Sequence, residues 1–170
     1  MNPIAALLLL LAVNAPPADF LLEPHRAGVV RVGENIDALY RRLPTVDAEL
    51  FDLKAEGFFT PLLKFTVAGK RGALRLYVGA GNRQFIVRAV DVRDTRFRTA
   101  AGIHVGSTLR DLRKAYRKLS KTGGEGTVGA RIERLSMTFD LGDVYDNPRY
   151  RARDLSDVPG DVPIVTIWVN

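Results

Sequence analysis

The chain has 170 residues, 46% of them apolar and 26% charged, a composition typical of one globular domain and not of a disordered or fibrous protein. The sequence contains no cysteine, which excludes disulfides, thiolate metal ligands, a cysteine nucleophile and the lipid-modified cysteine of an anchored lipoprotein. The formal net charge of +6 favours acidic partners such as anionic lipid, envelope polysaccharide, nucleic acid or an acidic protein, with solubility alone as the alternative.

Residues 1–18 carry no charged side chain and contain an apolar run from Ile4 to Val13. The run is too short to cross a bilayer as a helix, and its length is typical of the core of a signal peptide. We therefore predict that residues 1–18 are a signal peptide, cleaved near Ala18 or Asp19. Residues 19–170 would then form one periplasmic or secreted domain without a transmembrane span. A cytosolic protein with an apolar start is the alternative.

A pattern near the start of this domain occurs again 73 residues later. GVVRVGENIDALYRRLP (28–44) and GIHVGSTLRDLRKAYRKLS (102–120) share a Val-Gly pair followed by helical spacing of apolar residues. The matched positions are Val30, Val32, Gly33, Ile36, Leu39 and Arg41 in the first copy, and Ile103, Val105, Gly106, Leu109, Leu112 and Lys114 in the second. This pattern predicts two repeats, about 28–100 and about 101–170.

Each copy contains the signals of a capped helix. Asn35 can cap a short helix that Pro44 ends. In the second copy Thr108 and Asp111 have the spacing of a capping box, and the apolar spacing predicts a helix over 108–121.

Both helices follow a glycine, Gly33 or Gly106, at a place where positive φ or a close backbone approach would be needed. An anion cradle at the helix start is the alternative function for this turn.

After each helix the apolar period changes to two, which indicates strands. The predicted strands are ELFDLKAEG (49–57), PLLKFTVAG (61–69), ALRLYVG (73–79) and QFIVRAVDV (84–92), then RLSMTFDLG (134–142) and PIVTIWVN (163–170). TGGEGTVG (122–129) is predicted as a linker, and 143–163 as an extended loop or a functional excursion. The sequence thus predicts an α+β fold of two tandem modules, each a short helix packed on an antiparallel β-meander.

A Val-Gly pair, a short capped helix and then strands, repeated at this spacing, resemble the tandem modules of the beta-lactamase-inhibitory-protein fold. The same module is similar to the SmpA/OmlA (BamE-like) small envelope proteins, and FRTAAGIHVGSTLRDLRKAY (97–116) resembles uncharacterised exported bacterial proteins. The resemblance implies the fold and a place in the envelope. The inhibitory members have disulfides and the BamE-like members are lipoproteins, whereas this chain has no cysteine. It therefore implies neither β-lactamase inhibition nor outer-membrane assembly, and no binding residue.

The predicted helix over 108–121 has a cluster of cations opposite its apolar stripe, relieved at its edge by Asp111. These candidate binding residues are Arg110, Lys114, Arg117, Lys118 and Lys121. They predict a docking face for an acidic protein or an anionic envelope surface, with a solvated helix face as the alternative. Aromatic residues for stacking on bases are not interleaved with the cations, so nucleic acid is not the expected partner.

The sequence contains no motif that clearly indicates a catalytic site. His25 and His104, the two histidines, have no second histidine or carboxylate nearby at metal-ligand spacing. A serine nucleophile would have to be Ser107, Ser120, Ser136 or Ser156, and none lies in a nucleophile-elbow pattern.

Asp140, Asp143, Asp146 and Asn147 lie close together in the sequence and carry oxygen ligands suited to calcium. Their order differs from that of an EF-hand, and the terminal glutamate of that motif is missing. We predict no metal site, no cofactor and no catalytic residue, hence a non-enzymatic binding protein. The alternatives are a small hydrolase with a site formed by the 143–163 loop, and a purely structural envelope module.

Overall fold

The computed structural model describes residues 17–43, 48–55, 58–67, 70–81, 84–123, 126–143 and 154–170; residues 1–16 of the predicted signal peptide lie outside this set. Two helices are described, α1 (Ile36–Arg42) and α2 (Leu109–Ala115). The strands are β1 (Leu21–Glu23), β2 (Arg26–Ala27), β3 (Val30–Arg31), β4 (Ala48–Ala55), β5 (Phe58–Val67), β6 (Lys70–Gly81), β7 (Gln84–Val92), β8 (Arg98–Thr99), β9 (Ser120–Thr122), β10 (Thr127–Ile132), β11 (Met137–Asp143) and β12 (Thr166–Val169). Over the described ranges, no helix is both long and apolar enough to cross a membrane.

A large sheet of eight strands organises the chain, in the order β4-β5-β6-β7-β12-β11-β10-β9. One half is the antiparallel meander β4 to β7, and the other is the meander β9 to β12 in reverse order. Antiparallel pairing of β7 with β12, with Val92 opposite Ile167 and Val90 opposite Val169, joins the two meanders. The predicted α+β class with antiparallel strands is confirmed.

One face of this sheet is the floor of the core. The strand registers place buried residues in two rows that cross from β5 to β10. The rows are Leu63, Leu76, Val90, Val169, Met137 and Ile132, and Phe65, Leu74, Val92, Ile167, Phe139 and Ala130. Leu39 of α1 and Leu112 of α2 belong to the same cluster of buried residues. Both helices therefore bury their apolar stripes in one continuous core, which is the main source of stability for a chain without disulfides.

A small second sheet, in the order β3-β2-β1-β8, was not predicted from the sequence. Its strands have only two or three residues, too few for an apolar period to be recognised. β1 pairs antiparallel with β2 and parallel with β8, and Leu22 lies in the core. The ring of Phe20 meets that of Phe97 edge to face at 5.2 Å between centroids. This sheet therefore anchors the segments that precede each helix to the common core.

The two helices begin in the same way. Gly33 and Gly106 have φ of 84° and 95°, so the predicted positive φ is confirmed. Each glycine donates its N–H, at 2.8 Å, to the main-chain oxygen of Val87 or Ile164. The return bonds run from the N–H of Val87 to Glu34 and from that of Ile164 to Ser107.

The predicted caps are also confirmed. The Asn35 side chain accepts from the backbone of Asp37 and Ala38, and Thr108 forms a capping box with Asp111.

The predicted extent of the second helix is wrong, because α2 ends at Ala115. Tyr116 has an extended backbone with φ of −136°, and its ring is buried beneath the guanidinium of Arg134, at 5.1 Å. Ser120 and Lys121 then pair with Arg131 and Ala130 of β10. The apolar spacing that continues to Leu119 predicts a helix. Pairing of Ser120 and Lys121 with a neighbouring strand overrides this local preference, and these residues adopt an extended conformation.

The linker predicted over 122–129 is also wrong in part. Thr122 belongs to β9 and Thr127–Gly129 to β10, so this segment contains both arms of a hairpin. Gly123 has φ of 141°, and a β-carbon there would lie 2.2 Å from the main-chain oxygen of Thr127. Glycine is required at this turn by geometry, which explains why the composition resembles that of a linker.

The described end of the predicted 143–163 loop is packed against α2. Leu155, Val158 and Val162 are buried, and Arg113 donates to the main-chain oxygens of Leu155 and Val158. The N–H of Leu109 donates to the Val162 oxygen at 2.9 Å. Residues 144–153 of the loop lie outside the described set. The part that can be described supports the second helix.

We expect Gly33→Val and Gly106→Val each to lower the free energy of unfolding by about 1–3 kcal/mol, because valine tolerates positive φ poorly. A β-carbon would meet no atom within 4 Å at either glycine, so the cost comes from the backbone alone. Gly106→Asn is the matched control and should lose less, since asparagine adopts positive φ more readily. Denaturant unfolding measures the effect. Valine variants that unfold at the wild-type midpoint would show that the helix starts do not need glycine.

Candidate binding surface

The five predicted binding cations are all exposed, but they do not share one helix face. Arg110 and Lys114 lie in α2, Arg117 and Lys118 in the segment after it, and Lys121 in β9. The predicted single face is wrong because the helix ends before three of the five. The cations instead run along the outside of α2 and on to the edge of the large sheet. We call this band of five residues the basic band.

A groove beside the basic band adds cations that the sequence analysis missed. The groove has a volume of about 290 Å³ and is lined by Lys118, Leu119, Ser120, Arg131, Ile132, Glu133 and Arg134. Its one acid, Glu133, accepts a hydrogen bond of 2.7 Å from Arg131. Arg131 and Arg134 come from β10 and the turn after it, and only the pairing of β9 with β10 brings them to the band. The sequence holds no local signal for this proximity.

Asp111 is the acidic residue of α2 that lies closest to the basic band, and its carboxylate already accepts hydrogen bonds. Its carboxylate accepts from the backbone and the hydroxyl of Thr108, at 3.1 Å and 2.7 Å. These hydrogen bonds lower the pKa of Asp111, and the charges of Lys114 and Arg110 lower it further. Asp111 therefore stays ionised at neutral pH and offsets one cation of the band.

The sheet face opposite the core has a polar row that was also not predicted. Registers align Lys64, Arg75, Asp91, Trp168, Thr138, Arg131 and Ser120 from β5 to β9. The rings of Tyr77 and Trp168 lie 5.0 Å apart between centroids. Strand alternation in RLYV and TIWV could have indicated this face, but only strand order shows which residues meet.

Asp91 lies in the middle of this row and is 1% exposed. Arg93 donates to its carboxylate at 3.1 Å, and Arg75 lies 3.9 Å away. Burial raises the pKa of Asp91, and the two arginines only partly offset this effect. The two arginines therefore satisfy the buried carboxylate.

His25 and Ser136 are far apart in the sequence, but their side chains are in contact. Ser136 Oγ is 3.2 Å from His25 Nε2, and His25 Nδ1 is 2.6 Å from the main-chain oxygen of Asn170. A main-chain oxygen can only accept, so in the neutral ring Nδ1 carries the proton and Nε2 can accept from the serine hydroxyl. Both residues have positive φ, 58° and 51°, which is uncommon outside glycine. The histidine lies on the rim of an open groove with Arg26 and Arg31.

The remaining chemical candidates are held by local contacts. His104 Nδ1 lies 2.7 Å from the main-chain oxygen of Val105. Asp140 accepts from the N–H of Gly142 at 2.9 Å, while Asp146 and Asn147 lie outside the described residues. Among the side chains that the structure describes, no three histidine or acidic residues are grouped to hold a metal ion.

Together the fold and the surface define a small α+β protein with one continuous antiparallel sheet and a cation-rich end. No protein-family model matches the chain, and no curated protein matches it. It is similar to a solved structure, that of the uncharacterized protein yfeY from Escherichia coli. The alignment covers 89% of this chain and 99% of that chain, with 13% identity and a TM-score of 0.54. At this identity the similarity concerns the fold alone.

We expect Asp91→Asn to change how stability depends on pH. A carboxyl whose pKa is raised by folding binds its proton more tightly when folded, so its contribution favours the folded state at low pH and is lost as pH rises. The loss begins near the ordinary pKa of 3.8 and continues up to the raised value. The stability of the Asp91→Asn variant relative to wild type should therefore increase with pH across that window.

Denaturant unfolding from about pH 3 to about pH 8 measures this difference. The exposed Asp161→Asn is the control. A difference for Asp91→Asn that shrinks or stays constant with rising pH would contradict the assignment.

Proposed function

We propose that the protein is an exported, non-enzymatic binding protein of the cell envelope or extracellular space, and that it binds an acidic protein or an anionic envelope component. The observation that carries the proposal is the basic band, five exposed cations with Asp111 as their near acid. The neighbouring groove adds the cation Arg134, while its second arginine, Arg131, is paired with Glu133.

All five cations of the basic band are exposed at the surface. Exposed ion pairs contribute little to stability, so a solvated face has no reason to concentrate one sign, and mixed signs are usual. A one-signed surface instead accelerates and orients the approach of an oppositely charged partner. Arg110, Lys114, Arg117 and Lys118, which are exposed and close together along the chain, supply such a field.

The proposal includes location and architecture. Export is supported by the uncharged apolar start, residues 1–18. Two tandem modules, of the kind seen in beta-lactamase-inhibitory-protein-like or BamE-like proteins, are supported by the matching hydrogen bonds of Gly33 and Gly106. Gly33 and Gly106 are themselves a matched pair of the sequence repeat.

Replacing Lys114, Arg117 and Lys118 together with glutamine should leave the fold nearly intact and weaken binding to acidic surfaces by about tenfold or more at low salt. Binding to anionic liposomes, lipopolysaccharide and acidic proteins is measured across a salt series. Wild-type binding should weaken as salt shortens the Debye length to roughly 8 Å at physiological ionic strength.

The matched control removes the same amount of charge elsewhere, with Arg31→Gln, Arg41→Gln and Arg98→Gln, three exposed arginines away from the band. It should bind nearly as wild type does. Equal loss in both triple variants would mean that net charge alone, and not the basic band, is responsible. Absence of binding to every acidic surface would overturn the proposed function.

A second function, hydrolysis, is favoured by one observation, the contact of His25 with Ser136. His25 Nε2 is placed to take the hydroxyl proton while the Asn170 oxygen orients the ring through Nδ1. Neither residue of this pair belongs to the 143–163 loop, where the hydrolase alternative placed its site. Arg31 lies at the same rim and supplies a cation for an anionic end of a substrate, whereas Arg26 is paired with Glu23 at 3.0 Å.

A fluorophosphonate probe tests this second function, since its P–F bond breaks and a Ser136 Oγ–P bond forms when the serine is activated. On the hydrolase hypothesis wild type is labelled at Ser136, and His25→Gln labels about 10²-fold to 10⁴-fold more slowly. Ser120→Ala is the control and should not change labelling. Mass spectrometry locates the adduct. Labelling of Ser136 at the rate of an ordinary exposed serine would remove the hydrolase from consideration.

A further inference from the structure

The free edge of the large sheet lies inside the cation-rich surface. β9 is the last strand in the order of the sheet. It pairs with β10, and within the described ranges it pairs with no other strand. A strand at the edge of a sheet offers unpaired main-chain N–H and C=O groups to another chain. Ser120 and Lys121 are exposed there.

Cations lie on both sides of this edge. Ser120 pairs with Arg131, so these residues share the face of the polar row. Lys121 pairs with Ala130, at the end of a core row, so it belongs to the opposite face. A strand added beside β9 would therefore have Lys121 on one face and, on the other, Arg131 with its partner Glu133.

The groove at the start of β9 adds an apolar contact. Leu119 is partly buried against the core, and Ile132 is buried. Lys118, Arg131 and Arg134 stand around them, and Glu133 pairs with Arg131, which leaves Lys118 and Arg134 as the cations of the rim. An apolar floor with a cationic rim suits a polypeptide that carries both apolar and acidic side chains. A lipid headgroup would use the cations but not the main-chain edge.

We infer that β9 takes an extended acidic segment of the partner as an added strand. This inference rests on the proposed function and names its mode of binding. Lysine at a sheet edge commonly prevents pairing between copies of a protein. Here the same charge selects the sequence that can pair, because an acidic strand is attracted where a neutral or basic one gains less.

The test uses the whole protein and a peptide of alternating glutamate and valine, about eight residues long. Two further peptides carry N-methyl groups on either the odd or the even residues. An added strand directs alternate N–H groups toward its neighbour, so one methylated peptide should bind about tenfold or more weakly and the other nearly as the parent does. Hydrogen exchange should slow at Ser120–Thr122 when the parent peptide binds.

Each outcome separates the two proposals. Equal binding of the parent and both methylated peptides, with strong salt dependence, would contradict strand addition and leave the basic band as the binding surface. No binding of the parent peptide, in a protein that still binds an acidic protein, would also overturn strand addition alone. Loss of all acidic binding would overturn the proposed function itself. Lys118→Gln should weaken binding of the parent peptide. Arg98→Gln, which changes an exposed arginine of the small sheet, should leave that binding unchanged.

Discussion

Antiparallel pairing of β7 with β12 is the interaction on which the rest of the structure depends. It joins the meander β4 to β7 to the meander β9 to β12 in one sheet. On one face it aligns Val90 and Val92 with Val169 and Ile167, and this continuity lets both helices share one core. On the other face it sets Asp91 opposite Trp168, which completes the polar row. It also leaves β9 at the free end of the sheet. Without this pairing each meander would have a free main-chain edge, and the two core rows would be interrupted between β7 and β12.

The sequence predicts what depends on near neighbours and misses what depends on distant ones. The caps at Asn35 and Thr108, the positive φ of Gly33 and the long alternating strands all follow from local patterns. The predicted end of α2 was wrong because the residues after it pair with β10. Apolar spacing along the chain does not reveal such pairing with a distant strand. The short strands of the small sheet left no period to detect. For the same reason the five cations were identified as exposed charges but assigned to one helix face.

The surface candidates show the same division between local and distant information. Lys118 and Lys121 stand out in the sequence, whereas Arg131 and Arg134 reach them only through the β9–β10 hairpin. His25 and Ser136 are separated by most of the chain, so their contact could not be predicted from spacing. In each case the residue type indicates what the side chain can do, and the strand order determines which other side chains lie beside it. Binding by charge at the β9 end and nucleophilic chemistry at the His25 rim therefore rest on different residues, although Ser136 follows directly on the turn that carries Glu133 and Arg134.

The claim that one sheet unites both halves of the chain is tested most directly by native-state hydrogen exchange. Amides of β5 to β7 and of β10 to β12 should exchange through openings of the same free energy, equal to that of global unfolding, because they share one core. The fluorescence of Trp168, the single tryptophan, should follow the same transition as the backbone signal in denaturant. A set of β10 to β12 amides that opens at clearly lower free energy, while β5 to β7 stay protected, would contradict the account.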